Sequence, residues 1–450
     1  MKKSLPLCAV AFLLVVLAAS PEVLIAQDGN APITFTASGP LMAKGAPVKV
    51  GRNVNVTNAP GSQAETSVAV DPTDPKHVLV SVNDYACSLQ ECVPAYESHD
   101  GGLTFQSTYV NDWIGCLDNW SAFNSNGDAF VSYLCTNLTN EVHVAYRLKG
   151  QNEWTEIILN GSTILTFPDR TMMVFDQSPE SKYKDSAYIG YDDAGFTNTP
   201  YVLYSRDGIH NWQRSAPTGA GQTIGVNVAT GPNGSVYATW EDYASRQILS
   251  AKSTDGGATF GKSNVVTNYR LDTTKFFFYL PPQDKRGVVP MPFTATAPLG
   301  AAHAGRLYVS YFDQDPGGNN TNIYVRHSNN GGKTWSKEVK VNDDTNHAYH
   351  FHGAISVAND GRVAVSFYDT RRDSNSAKTD RYVSFSTDGG VTWSANTRVT
   401  SAQSDVKGKD YVQYGDYAGS SFGPDGVLHL TWTDARPGTK AEDMFSATVQ

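Results

Sequence analysis

The sequence predicts an all-β fold: a β-propeller of four-stranded blades, seven preferred with six as the alternative, its ring closed by an N-terminal strand. Three observations carry this reading. One octapeptide recurs five times, strand-like runs group in fours around it, and the composition suits short strands joined by tight turns. The chain has 39 Gly, 22 Pro, 23 Tyr and 8 Trp, with 18% of residues charged, and no amphipathic helix of ordinary length is visible.

At the N-terminus, Lys2 and Lys3 precede an apolar run from Leu5 to Ala19 that gives way to Ser20, Pro21 and Glu22. This is the pattern of a signal peptide, with cleavage near Ala19 or Ser20, or later near Ala26. Residues 1–26 are assigned to it, 27–50 to an N-terminal extension and 51–450 to a single propeller domain. A secreted or periplasmic protein follows, expected to be a monomer, with no transmembrane segment because no later run is apolar enough to span. The formal charge of -9 argues against a nucleic-acid partner, since no basic stripe is visible.

The repeats are Ser98 to Phe105 (SHDGGLTF), Ser205 to Trp212 (SRDGIHNW), Ser253 to Phe260 (STDGGATF), Ser328 to Trp335 (SNNGGKTW) and Ser386 to Trp393 (STDGGVTW). Their chemistry is that of a hairpin turn. The Asp carboxylate accepts backbone N–H groups, Gly supplies positive φ, and the terminal aromatic packs on the sheet. Two copies depart from the pattern, with Asn330 for the Asp and Asn211 for the Thr. Units of four strands begin near Thr66, Asn119, Arg170, Ile224, Phe293, Gly353 and Gly415, the second with a degenerate turn around Gly150 to Trp154. The last unit has only three strands, so the orphan strand Asn53 to Thr57 is expected to complete it beside Phe445 to Val449 and remove the open edge.

After processing, Cys87, Cys92, Cys116 and Cys135 remain, which an exported protein should pair. Of the three connectivities, Cys87–Cys92 and Cys116–Cys135 are preferred. Cys135 ends the second strand of the second blade and Cys116 begins its first, so the two face each other.

In such blades the octapeptide turns emerge on one face, while the 2–3 loops and blade-to-blade connections emerge on the other. On that second face the second strands end in Asn83-Asp84-Tyr85, Tyr191-Asp192-Asp193, Glu241-Asp242-Tyr243, Phe312-Asp313, Tyr368-Asp369 and Trp432-Thr433-Asp434. Arginines join them: Arg170, Arg246 after Asp242, Arg371 and Arg372 after Asp369, and Arg436 after Asp434. Asp242, Asp369 and Asp434 with Arg170, Arg246, Arg371 and Arg436 form the candidate substrate-binding set, because guanidinium forks suit carboxylates. The competing reading makes each Asp a turn cap and each Arg a strut to a neighbouring Asp.

The octapeptide resembles the Asp box, and through it the chain resembles the sialidase superfamily. The resemblance covers nearly the whole mature chain but is specific only at the turns. It implies an exo-sialidase-type or related glycoside hydrolase acting on a glycan or glycoconjugate. A sialidase is six-bladed and shows an early Arg-Ile-Pro motif, an arginine triad, a Tyr nucleophile activated by a Glu, and an Asp acid/base. Here the first blade opens with Gln63-Ala64-Glu65-Thr66, and no Arg-Ile-Pro is present. Mapped onto this chain, Tyr411 or Tyr414 would be the nucleophile, Glu65 its base and Asp84 the acid. Seven-bladed Asp-box propellers also include endo-glucanases of the xyloglucanase type and non-enzymatic assembly factors. The alternative is therefore a non-catalytic propeller binding glycan or protein on the same face. No cofactor is expected, and a structural calcium near the Asp residues is compatible with either reading. The insertion from Asn268 to Pro290, with Phe276-Phe277-Phe278-Tyr279, should emerge on the same face and offer aromatics to sugar rings.

Overall fold

The computed structural model describes residues 48–87, 91–111, 113–136, 140–159, 167–194, 198–216, 218–219, 221–272, 277–318, 320–439 and 441–450. The expected signal peptide and most of the N-terminal extension lie outside them. No helix forms among the described residues, and none is long and apolar enough to cross a membrane.

Seven antiparallel four-stranded sheets form the blades, as preferred over six. Blade one is β2 (Gln63–Val70), β3 (Val78–Asp84), β4 (Pro94–Ser98) and β5 (Gln106–Val110). Blade two is β6 (Cys116–Phe123), β7 (Ala129–Cys135), β8 (Glu141–Arg147) and β9 (Thr155–Leu159). Blade three is β10 (Pro168–Phe175), β11 (Ala187–Asp193), β12 (Thr199–Ser205) and β13 (Gln213–Arg214), and blade four is β14 (Thr223–Thr230), β15 (Val236–Asp242), β16 (Gln247–Ser253) and β17 (Asn264–Asn268). A separate hairpin, β18 (Phe278–Leu280) and β19 (Gln283–Val288), precedes blade five, made of β20 (Phe293–Thr296), β21 (Leu307–Gln314), β22 (Thr321–Ser328) and β23 (Val339–Lys340). Blade six is β24 (His350–Val357), β25 (Val363–Asp369), β26 (Asp380–Ser386) and β27 (Thr397–Arg398). Blade seven combines β28 (Ser420–Phe422), β29 (Leu428–Asp434) and β30 (Asp443–Val449) with β1 (Val54–Asn55), whose residues pair with Ser446 and Phe445.

Each blade lies between two others, so its middle strands bury both faces. That is why β3, β7, β15 and β25 read as nearly continuous Val, Ala, Phe and Tyr rather than as alternating patterns. Outer strands are short and partly exposed, which limits edge pairing. The octapeptide turns work as their chemistry predicts. Asp100 accepts from the N–H groups of Leu103 and Thr104, both at 2.9 Å, and from the Thr104 hydroxyl at 2.7 Å. In the variant copy Asn330 keeps the bond from Thr334 N at 3.0 Å and donates its amide to the Thr334 hydroxyl.

Both expected disulfides are present, Cys87–Cys92 and Cys116–Cys135. Cys116 and Cys135 are direct cross-strand partners of β6 and β7. Their separation of 19 residues closes a loop for which chain entropy alone is worth about 3 kcal/mol. Replacing both with Ala should lower the unfolding free energy by about that amount in denaturant titrations.

Candidate active site

The centre of the 2–3-loop face is built by one local device repeated around the ring. Five inner strands lose register with their neighbour near their start, between Ala64 and Ser67, Leu117 and Trp120, Asp169 and Met172, Ile224 and Asn227, and Phe351 and Ala354. These are β-bulges, and each places a residue at positive φ: Glu65 (62°), Asp118 (57°), Arg170 (58°), Gly225 (72°) and His352 (49°). Such a conformation costs a non-Gly residue about 1 kcal/mol or more. Four non-glycine residues bear it, and such re-aiming of side chains is what bulges do next to functional sites. Blade five replaces the bulge with Pro290-Met291-Pro292. Blade seven uses Gly415 (66°), where a Cβ would collide with Glu65.

The result is a well of carboxyl groups crossed by two arginines. Asp118 accepts the Arg170 N–H at 2.9 Å and lies within hydrogen-bonding reach of both Glu65 and Asp169. Burial pushes Glu65 well above the usual carboxylate range; Arg286 opposes this, while Asp416 and Asp118 add to it. Asp169 is pushed well up by burial and then by Asp192 and Asp118, and Asp118 is itself raised, chiefly by burial. Asp192, raised by burial, accepts the Gly225 N–H at 3.0 Å, and its other oxygen has no partner within the protein. Asp416 differs: burial would raise it, but Arg286 overcomes this and holds it below its ordinary value.

Arg286 comes from the β18–β19 hairpin. It donates from Nε and Nη2 to Asp416 at 3.0 and 2.7 Å, and from Nη2 to Glu65 at 2.7 Å. A hairpin inserted between blades four and five thus reaches blades seven and one across the ring, and it roofs the well. Gln413 fastens the roof, accepting from the backbone N–H groups of Lys285 and Arg286 at 3.1 and 3.0 Å and donating to Asp284 at 2.9 Å. Arg170 is fully buried over Phe293 and Tyr417, with Nη1 on the Met291 sulfur at 2.8 Å and Nε and Nη2 unpartnered. His352 is also buried with neither ring nitrogen bonded, and burial pulls its pKa down to about 3.

Of the candidate catalytic and substrate-binding residues, Glu65 and Arg170 enter the well, as does Asp192 among the strand-end aspartates. The other candidates do not. Asp84 caps its turn, accepting from Ala86 N at 3.0 Å and Gln63 Nε2 at 3.3 Å, and Asp242 accepts from Ser245 N at 3.0 Å. Arg246 sits outside in an ion pair with Asp272 at 2.7 Å. Arg371 is held by Asp369 and Asp343, both at 2.6 Å. Arg436 is held by Asp434, Asn53 and Ser401. These two are struts between neighbouring blades, so the expectation that they aim inward is corrected. The reason is register: the residue before each Asp faces the next blade at the level of its bulge, as Asn83 and Asp192 do, and a one-residue step turns a side chain to the other face. Tyr411 is 55% exposed on a loop. Tyr414 is buried and bonds Thr379 and Ser404, at 2.8 and 3.1 Å, rather than Glu65. Tyr85 and Tyr417 are the tyrosines near Glu65, and burial first, then the Glu65 charge, raises both far above the ordinary phenol value.

Of the inserted aromatics, Phe276 lies outside the described residues. Phe277 packs with Ile224, Val289 and Met291, Phe278 packs on the main core, and Tyr279 is 57% exposed. Two clusters bring three potential metal-ligand atoms together, His77–Glu97–His99 and Asp344–His350–Asp369. Both contain His already ion-paired with carboxylates, and neither is an all-oxygen set of the kind calcium prefers.

His350 is a pH-sensitive strut. It is buried, its Nε2 3.0 Å from Asp344 and 3.2 Å from Asp369. Burial opposes its charge, but the Asp369 and Asp344 carboxylates raise its pKa to about 9. Because the folded value lies above the unfolded one, near 6.5, this stabilisation is full below pH about 6.5 and fades as pH rises through about 9. His350→Gln should therefore cost on the order of 3 kcal/mol at pH about 6, the gap to wild type narrowing toward pH about 9 in denaturant titrations.

Fold and site together define a seven-bladed propeller with a roofed, carboxyl-lined central well. No protein-family model matches the sequence, and no curated protein matches it either. Among solved structures the chain is similar to a Hadza microbial sialidase (13% identity, TM-score 0.47, 68% of this chain and 63% of that one). This chain thus spans just under two thirds of that sialidase's length. It is also similar to the intramolecular trans-sialidase of Ruminococcus gnavus (13%, 0.48, 73% and 95%) and to the Penicillium chrysogenum alpha-L-arabinanase complexed with arabinobiose (10%, 0.46, 89% and 98%).

Proposed function

We propose that the protein is an exported carbohydrate-active enzyme that cleaves glycosidic bonds with paired carboxyl groups in the central well. The observation that carries this is the crowding of Glu65, Asp118 and Asp169 in the well, where burial raises all three carboxyls above their ordinary range. Glycoside hydrolysis needs one carboxyl that holds a proton and one that is ionised. Asp169 serves as the acid: it is partly open to solvent, whereas the Glu65 oxygens are occupied by Asn83 and Arg286. Asp118, steadied by the Arg170 N–H, sits against Asp169 and helps to hold its proton, and the ionised partner is Asp416, which Arg286 holds below its ordinary value. The unpartnered nitrogens of Arg170 and His352 and the free oxygen of Asp192 suit a hydroxyl-rich ligand.

Within this reading a two-carboxyl mechanism is favoured over the tyrosine chemistry of an exo-sialidase. No tyrosine near Glu65 is activated, since burial and the Glu65 charge raise both Tyr85 and Tyr417. Two disulfides support export. The alternative, a non-catalytic glycan binder, draws on the roof, since Arg286 occupies the carboxylates a substrate would meet. The deciding experiment incubates purified protein with a panel of neutral and acidic glycans and follows new reducing ends. Release by wild type but not by Asp169→Asn supports hydrolysis, whereas binding without release from any glycan assigns the binder.

A further inference from the structure

Beside the roofed well, at the seam of blades six and seven, lies a cavity of about 570 Å³. Its wall carries Arg372, Lys378, Arg398, Lys409 and Arg436, with Asp405 as its acidic member, on a protein whose formal charge is -9. We propose that this pocket binds the carboxylate or sulfate group of an acidic polysaccharide, as a subsite for the chain cleaved in the well. This rests on the glycan-cleaving reading above.

Charge matching is the first argument. The arginines of the wall are tied to buried carboxylates, whereas its two lysines are not. Buried Asp380 serves both Arg372 at 3.2 Å and Arg398 at 4.0 Å, and buried Asp434 serves Arg436. Asp405, Asp373 facing Lys378 and Glu442 facing Lys409 complete the acidic groups, and among the described residues neither lysine closes an ion pair with one of them. Asp380 and Asp434 also hold the guanidinium groups in place, so less side-chain freedom is lost when a ligand arrives. Donors are the second argument. Gln403 Nε2 and Arg436 Nε are buried at this wall without an acceptor, and a buried donor left unpaired costs about 1–3 kcal/mol. An oxyanion supplies the missing acceptor and the counter-charge together.

Continuity is the third argument. The segment that lines the pocket from Ser401 to Lys409 runs on to Gln413, which fastens the roof, and to Asp416 in the well. Lys285 of the roof donates to the carbonyls of Gly408 and Lys409 at the pocket's edge. Pocket and well are thus two ends of one loop on one face, the arrangement a polymer with charge at intervals would use.

The test measures binding apart from turnover, in an Asp118→Asn background, with dextran sulfate, polygalacturonate and neutral dextran as probes. The expected result is affinity for at least one anionic polymer and none for dextran; which polymer binds separates sulfate from carboxylate. Lys378→Ala with Lys409→Ala should weaken that binding about tenfold and flatten its salt dependence, with the thermal midpoint unchanged. Affinity unaffected by the double substitution, or equal affinity for dextran, overturns the proposal. Absent turnover with lysine-dependent binding would remove the hydrolase reading and keep the pocket. Turnover with lysine-independent binding would do the reverse.

Discussion

Replacing Asp169 with Asn should lower glycan turnover by about 10³-fold, with the fold intact and substrate affinity little changed, as should Asp118→Asn. The argument is the division of labour in the well. Burial, Asp192 and Asp118 all raise Asp169 above its ordinary value, which suits a proton donor, and an amide has no proton to give. Asn at position 118 keeps an acceptor for the Arg170 N–H, so the bulge survives, but it removes the carboxylate that helps to raise Asp169. Wild-type activity should fall as pH rises through the raised Asp169 value, and the residual activity of Asp169→Asn should lack that limb. Stability should stay level or rise, since either change relieves crowding among carboxyls. Initial rates across a pH series, with circular dichroism melts in parallel, check this. A variant with near wild-type rates would remove Asp169 from the chemistry.

Arg286→Met should be the most destabilising single substitution in the roof, by about 3 kcal/mol at neutral pH. Arg286 neutralises two buried carboxylates at once. Without it Glu65, already raised by burial, is the readier of the two to take up a proton, and the larger penalty falls on Asp416. The sign follows from Asp416's depressed pKa. Its contribution is present above the unfolded value near 3.8 and is lost as pH falls below it, so the gap between variant and wild type should close in acid. Urea titrations at neutral and acidic pH measure this. Limited proteolysis should also find the hairpin of β18 and β19 newly open to cleavage.

The fold was legible in the sequence because its signals are local. An octapeptide turn works through bonds between residues at most five apart, so five copies announce their hairpins wherever the chain goes. The closing strand and the Cys116–Cys135 bridge followed from strand bookkeeping. The well was largely hidden. Glu65 and Arg170 were singled out as openings of inner strands, but Asp118, Asp416 and His352 were not, because side-chain alternation does not survive a bulge. A signal was available: Ala64-Glu65, Leu117-Asp118, Ile224-Gly225 and Phe351-His352 each set an apolar residue before one that breaks the strand pattern. Arg286 had no such signal. It belongs to no repeat, and only the ring brings residue 286 to residues 65 and 416. The struts Arg371 and Arg436 misled for the opposite reason, since their Asp partners lie two residues away and an Arg-Asp pair reads the same whether it grips a ligand or a neighbouring blade.

The seam in blade seven has a consequence for how the molecule is made. β1 is two residues long and meets β30 only when residues near 445 exist, and a bridge between Val50 and Val449 extends the contact almost to the last residue. Synthesis delivers the first of these partners some four hundred residues before the second. Six blades can gather as they emerge, but the circle stays ajar until the final residues arrive, and for that interval β30's partner edge is missing and the well has no fixed diameter. The geometry of the well is therefore completed late, with β30.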